Sequence, residues 1–396
     1  MGPLHGIRVI EMAGIGPGPF CGMLLADMGA DVLRIDRLVE TDRGIDFPAK
    51  LDLLNRNKQS IAIDLKSAQG LETVRQLIAS ADMLIEGFRP GVMEKLGLGP
   101  DECLRSNPRL VFGRMTGWGQ DGPLKRAAGH DLNFIALTGA LDAIGQKGAP
   151  PTIPLNLLGD FGGGALYLAM GLLAAVIEAR TSGAGQVVDA AIVDGVSSLM
   201  TMQYALMQMG AWPGARGENI IDGGAPFYNV YETKDGRYIS IAAVEARFYE
   251  ELLEHVGLNA DDLSDEEGRY AADLPEQNDR DSWEHMHARF AEIFRTRTRD
   301  EWCALLEGTD ACFAPILSMD ECVAHPHNVA RKAFVEVDGV LNPAPAPRFS
   351  RTNAELRRPP SRVGADTGQA LADWGFSPEQ IGKLGEAGVI KLTHNT

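Results

Sequence analysis

The chain has 396 residues, 45% hydrophobic and 23% charged, a globular composition with apolar material for two domains. Its formal net charge of -17 argues against nucleic acid as a partner, because that binding rests on lysine and arginine neutralising phosphates. The cysteines are odd in number and include no C-x-x-C pair, which fits neither a disulfide framework nor a zinc ribbon.

Along the first half, short apolar runs alternate with helical patterns. Strands are predicted at Ile7–Met12, Ala30–Ile35, Ser60–Leu65, Met83–Phe88 and Leu110–Met115, with helices at Ala68–Ile78 and Pro100–Ser106 between them. That alternation predicts an α/β layer built on a mainly parallel sheet. Helical stretches follow at Leu132–Ala143 and Gly162–Arg180, then a short strand at Gln186–Val188 and a third stretch at Ala190–Met209. The apolar run Phe161–Ile177 is rich in glycine and alanine and ends at Glu178 and Arg180, so it reads as a buried core helix rather than a membrane span. Further on, Lys234-Asp235-Gly236 marks the turn of a hairpin, Phe227–Thr233 with Arg237–Ala243. Helices near Phe248–His255 and Trp283–Arg295 and a strand at Cys312–Leu317 complete a smaller α/β unit, and the acidic stretch 261–281 reads as an exposed loop. The region 343–360 is proline-rich and extended, and Gly364–Leu392 holds two short helices. No basic, apolar leader opens the chain and no peroxisomal tripeptide closes it, so a cytoplasmic enzyme of bacterial type is expected.

The motifs each admit a chemical and a bland reading. Gly14-Ile15-Gly16-Pro17-Gly18-Pro19 follows the first strand, with Asp36 about twenty residues on, but its prolines spoil a dinucleotide fingerprint. A turn that offers amides to a ligand and a purely structural turn both fit it. Arg37, Lys66 and Arg89 stand after successive strands, where parallel sheets bind ligands, or they are ordinary surface cations. His130 in Ala128-Gly129-His130-Asp131 opens a helix, where free amides and the dipole favour a developing oxyanion, or it is a satisfied structural histidine. Asp160 precedes Gly162-Gly163-Gly164, a run that asks for close approach of a ligand or another backbone. Glu245 reads as a first-turn glutamate complementing a helix dipole.

Together these segments resemble the family III CoA-transferases, and within them the branch that racemises 2-methylacyl-CoA thioesters. The resemblance is carried by Gly6–Pro19, Gly29–Arg37, Asn55–Lys66, Ile85–Gly97, Thr116–Pro123, Ala128–Asp131, Gly159–Gly164, Gly185–Gly195, Gly223–Glu232 and Ala314–Leu317. It implies a large Rossmann-like parallel-sheet domain built from both chain ends (1–189 and 318–396), linker helices at 190–225, a smaller α/β domain at 226–317, and an interlocked homodimer. It implies His130 and Asp160 as the catalytic acid–base pair, the Asp131 amide as enolate donor, and Glu245 reaching His130 across the subunit interface. Coenzyme A binding falls on Arg37, Ile63, Asp64, Leu65, Lys66, Gly87, Phe88, Arg89, Gly129, Leu132, Asn133 and Phe134. No cofactor is implied beyond the coenzyme A of the substrate, and no membrane partner. Most of the family instead transfers CoA between acids with an aspartate at the place of Asp160 as nucleophile, which is the alternative. The stretch 261–273 has no counterpart in the family pattern and bears on substrate range or on nothing.

Overall fold

The apolar runs of the first half form a parallel sheet in the computed structural model, which describes residues 1–39, 44–45, 47–258 and 274–392. Its strands are β1 (Arg8–Met12), β2 (Asp31–Asp36), β3 (Gln59–Ala62), β4 (Met83–Glu86), β5 (Val111–Thr116) and β6 (Val187–Ala191), in the order β3-β2-β1-β4-β5-β6. The central strands are buried almost throughout, which is why they read as continuous apolar runs without alternation. The order reverses between β1 and β4, and in open α/β sheets the crevice beyond the carboxyl ends at such a reversal is the ligand site.

Two compact units divide the chain. The larger contains 1–138, 154–200 and 329–396, and the smaller contains 139–153 and 201–328. The larger unit thus takes both chain ends. Residues 190–200, which the sequence reading gave to a linker, cluster with it, whereas 139–153 and 318–328 cluster with the smaller unit. Ala370, Leu371, Trp374, Phe376, Val389 and Ile390 join the core beside Ile35, Ile61 and Ile63.

A polar core fastens these distant segments. Lys58 Nζ meets the Glu11 carboxylate at 2.7 Å with both side chains buried, and it also donates to the Pro19 carbonyl at 2.8 Å. Burial pushes Glu11 up and Lys58 down, and the mutual charge opposes both shifts. Arg56 grips Asp27 at 2.6 Å and the Pro343 carbonyl at 2.7 Å. Asn57 Oδ1 accepts the Arg357 and Arg358 amides at 2.6 and 3.0 Å. Asn55–Lys58 is therefore a clasp that ties the C-terminal return to the first helix, Pro17–Asp27. Taking one partner from such a buried pair costs about 3–5 kcal/mol.

Several boundaries differ from the sequence reading. β3 stops at Ala62, because Ile63 turns into an antiparallel bridge with Ile390 and the Asp64 amide goes to the Val389 carbonyl. β4 stops at Glu86, whose own carboxylate captures the Phe88 amide at 2.7 Å. The helix expected over Leu132–Ala143 is two short ones, Asp131–Ala136 and Ala140–Ala143, split at Gly139 with φ of 78°. The stretch Ala190–Met209 begins as the end of β6 and then breaks into Ile192–Leu199 and Thr201–Gln208. The apolar helix starts earlier than Gly162, as a π-helical segment Leu157–Ala165 that continues into the α-helix Leu166–Ser182. Leu157–Ser182 is long and apolar enough to cross a bilayer by length and composition, and Leu168, Leu172, Ala175, Val176 and Ala179 on it are buried.

In the smaller unit β7 (Tyr228–Glu232), β8 (Tyr238–Ala242) and β9 (Phe313–Pro315) form an antiparallel sheet. The Lys234-Asp235-Gly236 turn closes the first hairpin, with Gly236 at φ 72° and the Thr233 amide on the Arg237 carbonyl at 2.8 Å. Phe227, Tyr231, Tyr249, Trp283, Phe290, Phe294 and Trp302 form its core. Arg216 holds residues 139–153 in this unit through the Asp142 and Ala149 carbonyls at 2.5 and 2.7 Å. Of the acidic stretch, 261–273 lies outside the described residues, and 280–282 form a 3-10 turn.

Candidate active site

Asp160 is the fourth residue of the π-helical segment. A π turn closes on i→i+5 bonds, here the Phe161 amide to the Asn156 carbonyl at 3.4 Å, and such segments concentrate at functional sites. The sequence reading set Asp160 ahead of the helix, whereas the wider turn puts it inside. The glycines after it admit another backbone rather than a ligand. A Cβ on Gly195 would lie 1.8 Å from the Gly163 carbonyl oxygen, and one on Gly163 would lie 2.5 Å from Val196. The helix Ile192–Leu199 thus packs directly on the π segment.

Three elements of the larger unit converge on the Asp160 carboxyl. Asn156 Nδ2 donates to its Oδ2 at 3.4 Å from within the same segment. From the first helix, Gly16 lies so close that a Cβ there would stand 3.1 Å from that oxygen, and its φ of 66° also demands glycine. From the helix Asp131–Ala136, the buried Asp131 carboxylate accepts the Asp160 amide at 2.6 Å. Burial pushes the Asp160 carboxyl above its ordinary value and Asp131 adds to that rise, while Asn156 and His130 oppose it. Phe161 stacks on Phe20 at 4.4 Å beside it.

His130 is the N-cap of its helix. Asn133 Oδ1 accepts the His130 amide at 3.1 Å, and the His130 carbonyl takes the Asn133 and Phe134 amides. The imidazole is exposed at the helix start, in a capping box with Asn133. The first-turn amides of Asp131 and Leu132 precede the helix ladder and are left for an anion.

The remaining candidates divide. Arg37, Lys66 and Arg89 stand just beyond the carboxyl ends of β2, β3 and β4, exposed and without an ion pair among the described residues. Gly87 and Leu132 are exposed, and Leu65 is half-buried. Ile63 is fully buried and the amides of Ile63, Asp64 and Lys66 are taken up internally, which leaves little of this stretch to read a ligand. Phe88 packs against the core, so the loop offers mainly Gly87 and Arg89. Phe134 is buried edge-on to Trp118 at 4.8 Å, in space kept open by Gly117 and Gly129. Glu245, in the smaller unit, caps the helix Ala246–His255 by its carbonyl, while its side chain makes no capping bond and is exposed. Asp36 is buried, and its Oδ2 takes Arg34 at 2.6 Å and Ser60 at 2.7 Å, so its carboxylate sits within the fold and is not presented to a ribose. Sequence reasoning missed Asn156, Phe20 and Phe161. Leu155 at φ 58°, an unusual conformation for a branched side chain, sets up Asn156.

Residues 4–367 match the family described as CoA-transferase family III. The chain is 44% identical over 385 residues to the α-methylacyl-CoA racemase of Mus musculus, covering 96% of each chain. It is 41% identical to the α-methylacyl-CoA racemase of Homo sapiens, covering 98% of this chain and 97% of that one. A solved structure of a CAIB/BAIF family protein from Brucella suis superposes with a TM-score of 0.79 at 26% identity, covering 94% of this chain and 99% of that one.

Proposed function

The chain belongs to CoA-transferase family III, and within that family we propose that it is an α-methylacyl-CoA racemase. The observation that carries this reading is the pairing of an exposed imidazole at a helix start with a carboxyl of raised proton affinity, His130 with Asp160. A transferase needs only the carboxylate, as a nucleophile. Inversion at a carbon next to a thioester needs two proton carriers, and here two titratable groups stand within electrostatic reach of each other.

One of the pair removes the α-proton, and the electron pair it leaves moves onto the thioester oxygen. The first-turn amides at Asp131 and Leu132 stabilise that developing enolate oxygen. The other member then delivers a proton to the opposite face, and the carbonyl re-forms. The two groups exchange roles with the configuration of the substrate. The exposed cations Arg37, Lys66 and Arg89 hold the phosphates of coenzyme A, and the Gly87 and Gly129 turns lie along its path. No metal or redox group enters this chemistry. The working form is an interlocked homodimer in the cytoplasm, in which Glu245 of the partner subunit supports His130. The exposed Leu166, Met170 and Ile177 along one apolar helix support a partner surface.

Incubation of one epimer of a 2-methylacyl-CoA in deuterated water, with no acceptor acid, tests the proposal. Both epimers should appear, carrying deuterium at the α-carbon. Inversion without solvent label, or activity only when a carboxylic acid is added, would count against it.

A further inference from the structure

Asp131 has a side chain that the mechanism above does not use. It is 6% exposed, its Oδ2 accepts the Asp160 amide at 2.6 Å, and its Oδ1 is buried with no hydrogen-bond partner. A carboxylate is costly to bury unpaired, and groups of that kind cluster where a site needs their field. The fold makes room for it. A Cβ at Gly159 would lie 2.4 Å from Asp131 Oδ2, so only glycine beside Asp160 admits the carboxylate.

We propose that the Asp131 carboxylate is a positioning residue for Asp160, fixing the main chain of its π turn and acting on it as a buried negative charge. This rests on the acid–base role given to Asp160 above. Two nearby carboxylates resist ionising together, so a fixed charge at Asp131 makes Asp160 the better proton acceptor once it is ionised. The rise in Asp160, caused first by burial and also by Asp131, has that direction.

The other groups around Asp160 are few. On its own segment stands Asn156, and on the helix of Asp131 stands His130, both opposing the rise. The first helix brings its positive N-terminal end at Gly16, while its Asp27 is spent on Arg56. Arg114 on β5 and Asp194 on the helix Ile192–Leu199 act on Asp189 of β6. Glu178 and Arg180 lie toward the far end of Leu166–Ser182.

Asp131→Asn keeps the shape and an oxygen to accept the Asp160 amide, and it removes only the charge. The experiment titrates the Asp160 carboxyl by carbon NMR in enzyme labelled at aspartate carboxyls, assigned by its loss in Asp160→Asn. The expected result is a midpoint for Asp160 at lower pH in Asp131→Asn than in wild type. The same variant should move the acid limb of α-deuterium exchange to lower pH for the epimer that Asp160 deprotonates, and leave the limb of the other epimer in place. An unchanged midpoint overturns the inference, as does an equal displacement of both limbs. A wild type that exchanges neither epimer would overturn the racemase reading instead, while the titration still decides the role of Asp131. Thermal unfolding confirms that each variant is folded, and Asp131→Ser supplies a second neutral variant if Asp131→Asn is not.

Discussion

His130 and Asp160 enter the site with different degrees of restraint. The carboxyl is half-buried and its residue's amide and one oxygen are held, whereas the imidazole is exposed. If each carries a proton on its own face of the substrate, the two alanine variants should fail in mirror fashion. His130→Ala should cut inversion by about 100- to 10,000-fold, the usual span for one acid–base group. Exchange of the α-proton should survive in the epimer that Asp160 faces. Asp160→Ala should leave exchange only in the opposite epimer. Measuring exchange and inversion separately, for each variant and epimer, checks this, beside CoA transfer to an added acid. If wild type moved CoA briskly to an acid and His130→Ala did so equally well, the two-base reading would fail. Asp160 and His130 stood out as candidates in the chain because each lies beside glycine, His130 after Gly129 and Asp160 just ahead of Gly162-Gly163-Gly164. Asn156 was not, since it reaches Asp160 only through a π turn, and an i→i+5 segment has no distinctive apolar period. The buried place of Asp36 was beyond the sequence for a related reason. Spacing places a carboxylate at the right distance from a glycine turn but says nothing of the arginine two residues before it that takes the charge.

Among the elements, the buried strands were the most legible, because a strand covered on both faces shows itself as a short apolar run. Their ends were not, because they are set by non-local partners. β3 stops where residue 390 reaches it from the far end of the chain, which no local pattern announces. The glycine run was read correctly as a request for close approach, and the approaching partner turned out to be the helix Ile192–Leu199. This makes the packing of that helix a precondition for the geometry at Asp160. Gly195→Ala would drive a methyl to 1.8 Å from the Gly163 carbonyl oxygen, with backbone on both sides and no flexible side chain to give way. Overpacking of this kind costs about 1–3 kcal/mol or more. Gly162→Ala meets its nearest atom at 3.1 Å and should cost clearly less. Urea unfolding of the two variants measures the difference. Equal stabilities would mean that the helix does not rely on this contact.

At the scale of the whole molecule, the larger unit draws on both chain ends, and Arg56, Asn57 and Lys58 of the clasp show how: the side chain of each reaches a segment distant in sequence. The return of the chain was legible only through the family resemblance, since its contacts are single polar groups without periodicity. That same resemblance gives Glu245 a task that its own helix does not. A dimer with shared sites makes a definite demand when two different defects are combined in one assembly. His130→Ala and Glu245→Ala homodimers should each be nearly inactive. Co-expressed in equal amounts, the chains pair at random, so about half of the dimers carry one of each. If Glu245 serves the His130 of its partner, a mixed dimer collects both defects in one site and leaves the other site intact. The preparation should then show about a quarter of wild-type activity, and isolated mixed dimers about half. If Glu245 serves its own chain, every site in the mixed dimer keeps one defect and no activity returns. Tagging the two chains differently allows the mixed dimer to be isolated and its α-proton exchange measured directly. An inactive mixed dimer would end the shared-site proposal while leaving the roles of His130 and Asp160 standing.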